Sequence, residues 1–398
     1  MHHSFANLPL HGGKAPAWLF GRMRQLAGAF AEIAVMEIGP EAFLDRVSDP
    51  FWFQCLGCVL GFDWHSSGVT TTTCAALKEG IRNKEADLGL FICGGKGRTS
   101  RKTPQQIMEF SDKAGTDGDG LVRASRMSAK VDSSAVQDGF QVYHHCFLFI
   151  ASGKWAVVQQ GMNEESGWAR RYHWLGDKDM DFVCEPHKAV CSDGTPQVLN
   201  MVAKEAAASR IATTEVSKLP PEKLIAELRL AVTDRTMKPK RRSTTLHGQK
   251  EFDLFPNTNR EMEGGNPLPP LVSSLDLPGR HHILSADINP TRLKDIFTRT
   301  YERQPENFGA LLEMEGVGPK TIRALSFVGQ LLYGATPSFR DPARFSFAHG
   351  GKDGIPYPVD RKTYDTTVTI LEKAVSQAKV GQTDKLQAMR RMAKFLEK

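Results

Sequence analysis

The run Leu311-Leu312-Glu313-Met314-Glu315-Gly316-Val317-Gly318-Pro319-Lys320-Thr321-Ile322-Arg323-Ala324-Leu325 restricts the fold of this chain more than any other stretch. Upstream, Pro305 is tolerated in a first helical turn, and Phe308, Leu311, Leu312 and Met314 form an apolar face. Gly316 falls where a left-handed cap ends that helix. Pro319 has a fixed φ and no N–H to lose, so it opens a second helix. The apolar positions of that helix, Ile322, Leu325, Val328, Leu331 and Leu332, recur until Gly334. The pattern predicts helix, tight turn, helix. A Gly316-Val317-Gly318 turn presents backbone N–H groups at a helix start, with Lys320, Thr321 and Arg323 in the next turn, an arrangement suited to phosphate.

At 398 residues the chain predicts two or three domains. Hydrophobic residues at 40% and charged ones at 24% are those of a globular protein, and no apolar run approaches the roughly 18 residues a membrane helix needs. The start Met1-His2-His3-Ser4 lacks a secretion signal, and seven scattered cysteines predict free thiols in a cytoplasmic, nucleoid-associated protein. A net charge of +6 is compatible with a polyanionic partner.

Residues 1–232 predict a mixed α+β domain with a central β-hairpin. Trp18–Val35 has helical periodicity. Asp87–Cys93 reads as a strand running into Gly94-Gly95-Lys96-Gly97-Arg98, a basic glycine loop without P-loop spacing but with phosphate candidates in Lys96 and Arg98. Phe140–Ile150 and Lys154–Met162 flank Ala151-Ser152-Gly153 as a hairpin. Period two sets Val142, His144, Cys146 and Leu148 on one face and Tyr143, His145 and Phe147 on the other. Gln159, Gln160, Arg170, Arg171, His173, Glu185 and His187 follow, and buried amides, imidazoles and guanidiniums imply a polar pocket. Gln197–Arg210 and Pro221–Val232 read as helical. Residues 233–280 predict a Pro-rich basic linker, and 281–398 an all-helical domain with Tyr364, Leu386 and Met389 inward.

The turn and its flanking helices resemble the helix-hairpin-helix motif, which implies contact with the DNA backbone without strong sequence preference. Leu8-Pro9-Leu10-His11-Gly12-Gly13, Val157-Val158-Gln159-Gln160-Gly161-Met162-Asn163, Ala169-Arg170-Arg171-Tyr172-His173-Trp174 and the Gly-Val-Gly-Pro-Lys-Thr turn together resemble a prokaryotic family, domain of unknown function 763. That resemblance spans nearly the whole chain and implies no reaction. The C-terminal part is similar to glycosylases of the hairpin-Gly/Pro-Asp superfamily, in which a lysine placed like Lys320 forms a Schiff base and an aspartate assists it. Asp341 and Asp360 both match that aspartate.

Two chemistries and one non-catalytic role are therefore expected. In the first, the N-terminal pocket cleaves phosphodiesters of damaged or structured DNA, using Asp132, His145 and Gln159. A divalent Mg or Mn ion would be held by members of the set Asp63, His65, Asp132, Asp138 and His144, while Arg170 and Arg171 steady phosphate. In the second, Lys320 attacks a deoxyribose carbon with Asp341 or Asp360. The third is a DNA-binding adaptor of a repair complex.

Overall fold

Three consecutive strands joined by short turns build the centre of the molecule. The computed structural model describes residues 17–61, 68–164, 166–192, 198–233, 290–343, 369–370, 373–377 and 381–396. Asp63, His65, Asp360 and the Leu8–Gly13 run lie outside the described residues.

Helix α1 (Ala17–Ser48) breaks at Gly39, where φ reaches 81° ahead of Pro40. Then come α2 (Pro50–Leu60), α3 (Gly68–Gly80), a single turn α4 (Glu85–Leu88) and strand β1 (Leu90–Lys96). Helices α5 (Thr103–Ala114) and α6 (Gly118–Lys130) lead into β2 (Val136–Gln137), β3 (Gln141–Ile150), β4 (Trp155–Asn163), β5 (Trp168–Gly176), β6 (Ala189–Cys191) and β7 (Leu199–Asn200). Helices α7 (Ala207–Ser217), α8 (Pro221–Thr233), α9 (Pro290–Arg303), α10 (Phe308–Glu313), α11 (Pro319–Tyr333) and α12 (Gln382–Leu396) complete the described elements. The main sheet runs β1-β3-β4-β5-β6, antiparallel throughout, and β2 pairs with β7. The fold is mixed α+β with its antiparallel sheet in the N-terminal half.

Both faces of the sheet are covered, as the near-continuous burial of β3, β4 and β5 requires. Leu90, Ile92, Cys146, Leu148, Ala156 and Val158 meet α1, α2 and α3 in one core. Phe91, Phe147, Phe149, Trp155, Val157, Tyr172 and Trp174 form the opposite core, which continues without interruption to Leu293, Phe297, Leu311, Ile322, Leu325 and Val328 of α9–α11. Aromatic rings order this second core. Phe147 stacks on Trp155 at 5.6 Å, and Trp155 on Phe182 at 5.9 Å, contacts worth about 0.5–1.5 kcal/mol each beyond area burial.

Helices α1 and α3 touch through glycine. A Cβ at Gly80 would stand 2.6 Å from the Gly28 amide nitrogen and 2.7 Å from the Arg24 carbonyl oxygen. Gly80→Ala is therefore expected to cost about 1–3 kcal/mol by prising the helices apart. Urea denaturation checks it, and an unchanged midpoint would contradict so close an approach.

Several sequence expectations shift. Strand β1 starts at Leu90 instead of Asp87, because Glu85–Leu88 closes a helical turn capped by left-handed Gly89. Leu199–Asn200 is a strand, drawn out of the expected helix by pairing with Val136–Gln137. The register slips between Val142 and His144, and this bulge turns Val142 to the core opposite the one its alternation predicted. Leu331, Leu332, Leu386 and Met389 are exposed, whereas Ala388 of α12 is buried.

Candidate active site: a histidine–aspartate pair at a cleft

One short segment gathers the polar chemistry. After α6 the chain makes a π-helical turn, Val131–Ala135, before entering β2; such widened turns are common at functional sites. Asp132 in that turn is fully buried. Its Oδ1 accepts from His187 Nε2 at 2.5 Å, and its Oδ2 accepts from Trp174 Nε1 at 2.9 Å and from the Gln159 amide. Gln159 also donates to the Ser128 carbonyl, and its Oε1 meets His145 Nδ1 at 2.8 Å. The other ring nitrogen of His145 lies 2.9 Å from Ser125 Oγ. Strand pairing explains the assembly, because His145, Gln159 and Tyr172 occupy one cross-strand row on the face packed against α6. Asp132, His145 and Gln159, expected as catalytic residues, thus belong to one network. Burial lowers the His145 pKa, with Gln159 and Asp132 pulling it back.

His187 joins this network to a cleft wall. It lines a cleft of about 220 Å³ with Glu185, Lys188, Asn200, Arg340 and Asp341. Its ring packs 4.5 Å from that of Trp174, and the Lys188 amide is fixed by the His173 carbonyl at 2.9 Å. Two residues earlier, Glu185 has φ 46°, a left-handed conformation strained for a non-glycine residue, held by its amide bond to Val202 O at 2.7 Å. The far rim is pinned to β7, where Asn200 N donates to Ser338 O at 2.8 Å and Asn200 Nδ2 to Arg340 O at 3.0 Å. Since Asp132 takes the proton on Nε2, Nδ1 is the basic nitrogen of the imidazole. A carboxylate-held imidazole at a cleft wall is equipped to move a proton.

A second network lies beside the first. Arg170 Nη1 reaches Asp138 Oδ2 at 2.9 Å and Asp341 Oδ1 at 3.0 Å, and Nη2 reaches Asp341 Oδ2 at 2.7 Å. Tyr172 Oη donates to Asp138 at 2.6 Å, and the guanidinium lies 4.7 Å from the Phe140 ring centroid. Burial alone would lower the Arg170 pKa, but Asp138 and Asp341 outweigh it and hold it raised. Burial lifts the Asp138 carboxyl above the ordinary range against the pull of Arg170. Arg171, the adjacent residue, points to the opposite face, where it donates to Gln54 Oε1 at 2.9 Å. Both arginines, expected at phosphate, are wholly buried on protein partners.

The remaining expected residues disperse. His144 is buried on the face opposite His145, and neither ring nitrogen has a hydrogen bond among the described residues. Burial, then His145 and Lys96, push its pKa down to about 3. Lys96 and Arg98 stand exposed at the sheet edge. No group of three or more His, Cys, Asp or Glu placed to hold a metal occurs among the described residues. All seven cysteines are free, and Cys55 and Cys58 are buried thiols. No helix among the described residues is long and apolar enough to cross a membrane.

Helix, turn and helix form in the expected order, but α10 is shorter than expected: it starts at Phe308 with Asn307 as its cap, beyond Pro305, and ends at Glu313, where Met314 turns extended before Gly316 is reached. Gly316 takes φ 85°, Gly318 caps α11 without a side-chain acceptor, and Lys320 is exposed. Val317, Thr321 and Arg323 are instead buried, and Arg323 Nε donates to Gln137 Oε1 at 2.9 Å. The turn is bonded to the segment that carries Asp132, since Lys130 Nζ reaches Met314 O at 2.9 Å and Gln137 Nε2 reaches Pro319 O at 2.9 Å. Sequence reasoning named Asp132 as a catalytic candidate and His187 as a pocket residue but did not pair them, because 55 positions separate them and no spacing rule joins a turn to a loop.

Fold and site together define an α+β protein with a carboxylate-held histidine at a cleft and a glycine turn bonded to the segment that carries the carboxylate. The chain belongs to the family described as Protein of unknown function (DUF763), whose profile matches residues 4–359. No curated protein and no solved structure matches it.

Proposed function

We propose that the protein binds the DNA backbone through the Gly316–Lys320 turn and cleaves phosphodiesters in the N-terminal half. The observation that carries this reading is the segment 130–138. It bonds to the turn through Lys130 and Gln137, and to the cleft through Asp132, so DNA held at one is delivered in fixed register to the other. A Cβ at Gly318 would meet nothing within 4 Å, which leaves room for a phosphate to approach the start of α11. Exposed Lys320 adds charge there.

Gly318→Ala combined with Lys320→Ala is expected to weaken DNA binding equally across sequences and to lower the slope of log affinity against log salt by roughly one unit per lost phosphate contact. Unchanged affinity would place the turn off the DNA. Cutting of supercoiled plasmid with Mg or Mn is expected to stop with Asp132→Ala or His145→Ala; its persistence in EDTA would remove the metal from the scheme.

The lyase alternative asks for a desolvated Lys320 aided by Asp341. Lys320 is exposed and Asp341 is held by Arg170, and both observations favour hydrolysis. Borohydride trapping on abasic-site DNA separates the two, because a covalent adduct at Lys320 supports only the lyase.

A further inference from the structure

We infer that His187 is the catalytic base of phosphodiester hydrolysis, with the cleft as the seat of the reacting phosphate. This rests on the DNA-processing reading and adds to it the residue, the site and the bond broken. Three observations converge. His187 Nε2 is fixed by Asp132 at 2.5 Å, and Asp132 is itself locked by Trp174 and Gln159, so the imidazole is held in one tautomer and one orientation. His187, its side chain 6% exposed, lines a cleft of about 220 Å³, large enough for a phosphate and its ester oxygens. Lys188 and Arg340 border the same cleft and carry positive charge where phosphorane charge would develop; among the described residues Arg340 pairs at 3.6 Å with Glu205 and 4.0 Å with Glu185, and its side chain is 65% exposed.

The chemistry is a hydrolysis that needs no co-reactant beyond water. Nδ1 of His187 takes a proton from a water molecule as the water oxygen bonds to phosphorus. The bond from phosphorus to the leaving sugar oxygen breaks with its electron pair, and that oxygen takes a proton from solvent. The imidazolium then returns its proton to solvent. One diester and one water give one phosphomonoester and one alcohol. Asp132 is a positioning residue here, acting through His187, and Gln159 and Trp174 in turn position Asp132.

The test uses the full-length chain with two substrates, bis(p-nitrophenyl) phosphate and supercoiled plasmid, beside a DNA-binding assay. His187→Ala is expected to lower kcat on both by about 100-fold or more, with DNA affinity unchanged, and added imidazole should restore hydrolysis of the small diester. His187→Gln keeps the volume of the ring and should be equally inactive, which covers the case in which the alanine variant folds poorly. Asp132→Asn should lower kcat while leaving KM near the wild-type value. Wild-type rates in His187→Gln would overturn the proposal, as would wild-type protein that binds DNA yet hydrolyses neither substrate; the hairpin reading would survive both. Conversely, His187-dependent hydrolysis of the small diester by a protein that does not bind DNA would sink the hairpin reading and leave the cleft assignment standing.

Discussion

Arg170→Met is expected to cost about 3–5 kcal/mol of folding stability, the penalty for removing one partner of a buried ion pair. Both carboxylates facing Arg170 are almost wholly inaccessible, with side-chain exposures of 1% for Asp138 and 3% for Asp341. Methionine fills the volume but supplies no charge, so two carboxylates remain in a low-dielectric interior. Among the described residues, the Tyr172 hydroxyl and the amides of Phe140 and Ala343 then serve them. The deficit should shrink as pH falls, because Asp138, whose pKa burial already raises, takes up a proton more readily once Arg170 is gone. Urea denaturation near pH 7 and pH 5 measures it. Adding Asp138→Asn and Asp341→Asn should recover part of the loss, and a loss under about 1 kcal/mol for Arg170→Met alone would contradict the clamp.

Acidification gives the second large effect. His144, His145 and His173 are buried with depressed pKa values, His144 at about 3, and desolvation is the leading cause in each. The sign follows from linkage. An unfolded imidazole binds its proton near pH 6.5 while the folded one resists, so the unfolded state carries more protons below that pH. The stability these groups contribute is complete above about pH 6.5 and is lost as pH falls toward the folded values. Each imidazole that stays neutral while its unfolded counterpart is charged adds about 1.4 kcal/mol per pH unit to the slope. Asp138 opposes them, since its raised pKa favours the folded state on acidification, but it is one group against three. Urea midpoints at pH 7.5, 6.5, 5.5 and 4.5 should fall steeply below 6.5, and a flat profile would refute the account. His144→Leu should flatten part of the slope at little cost, as the imidazole has no hydrogen bond among the described residues to lose.

Local order was legible in the sequence where short-range physics sets it. The hairpin Gln141–Asn163 and the α10–α11 turn follow from alternation, glycine placement and proline, and each forms. Alternation also separated His144 from His145 correctly. It failed at Val142, because a bulge changes phase without leaving a pattern to read. Tertiary partners were the hidden part. Arg170 and Arg171 read as phosphate ligands because adjacent arginines usually face solvent, whereas the flanking Tyr172 and Trp174 belong to a core strand and carry them inside. For Arg323, helical spacing alone could not show that Gln137, 186 positions earlier, would claim it.

The bonds from segment 130–138 to the α10–α11 turn also fix an order of assembly. The β3-β4-β5 meander closes through short turns and forms early, while Lys130 waits 184 positions for Met314, and Arg170 waits 171 for Asp341. On the ribosome the sheet therefore emerges with α5 and α6 already made, while the part of its aromatic core completed by α9–α11 waits for the last third of the chain. Synthesis passes through a stage in which part of the future core is open to other chains, and the helices flanking the glycine turn are the piece that closes it.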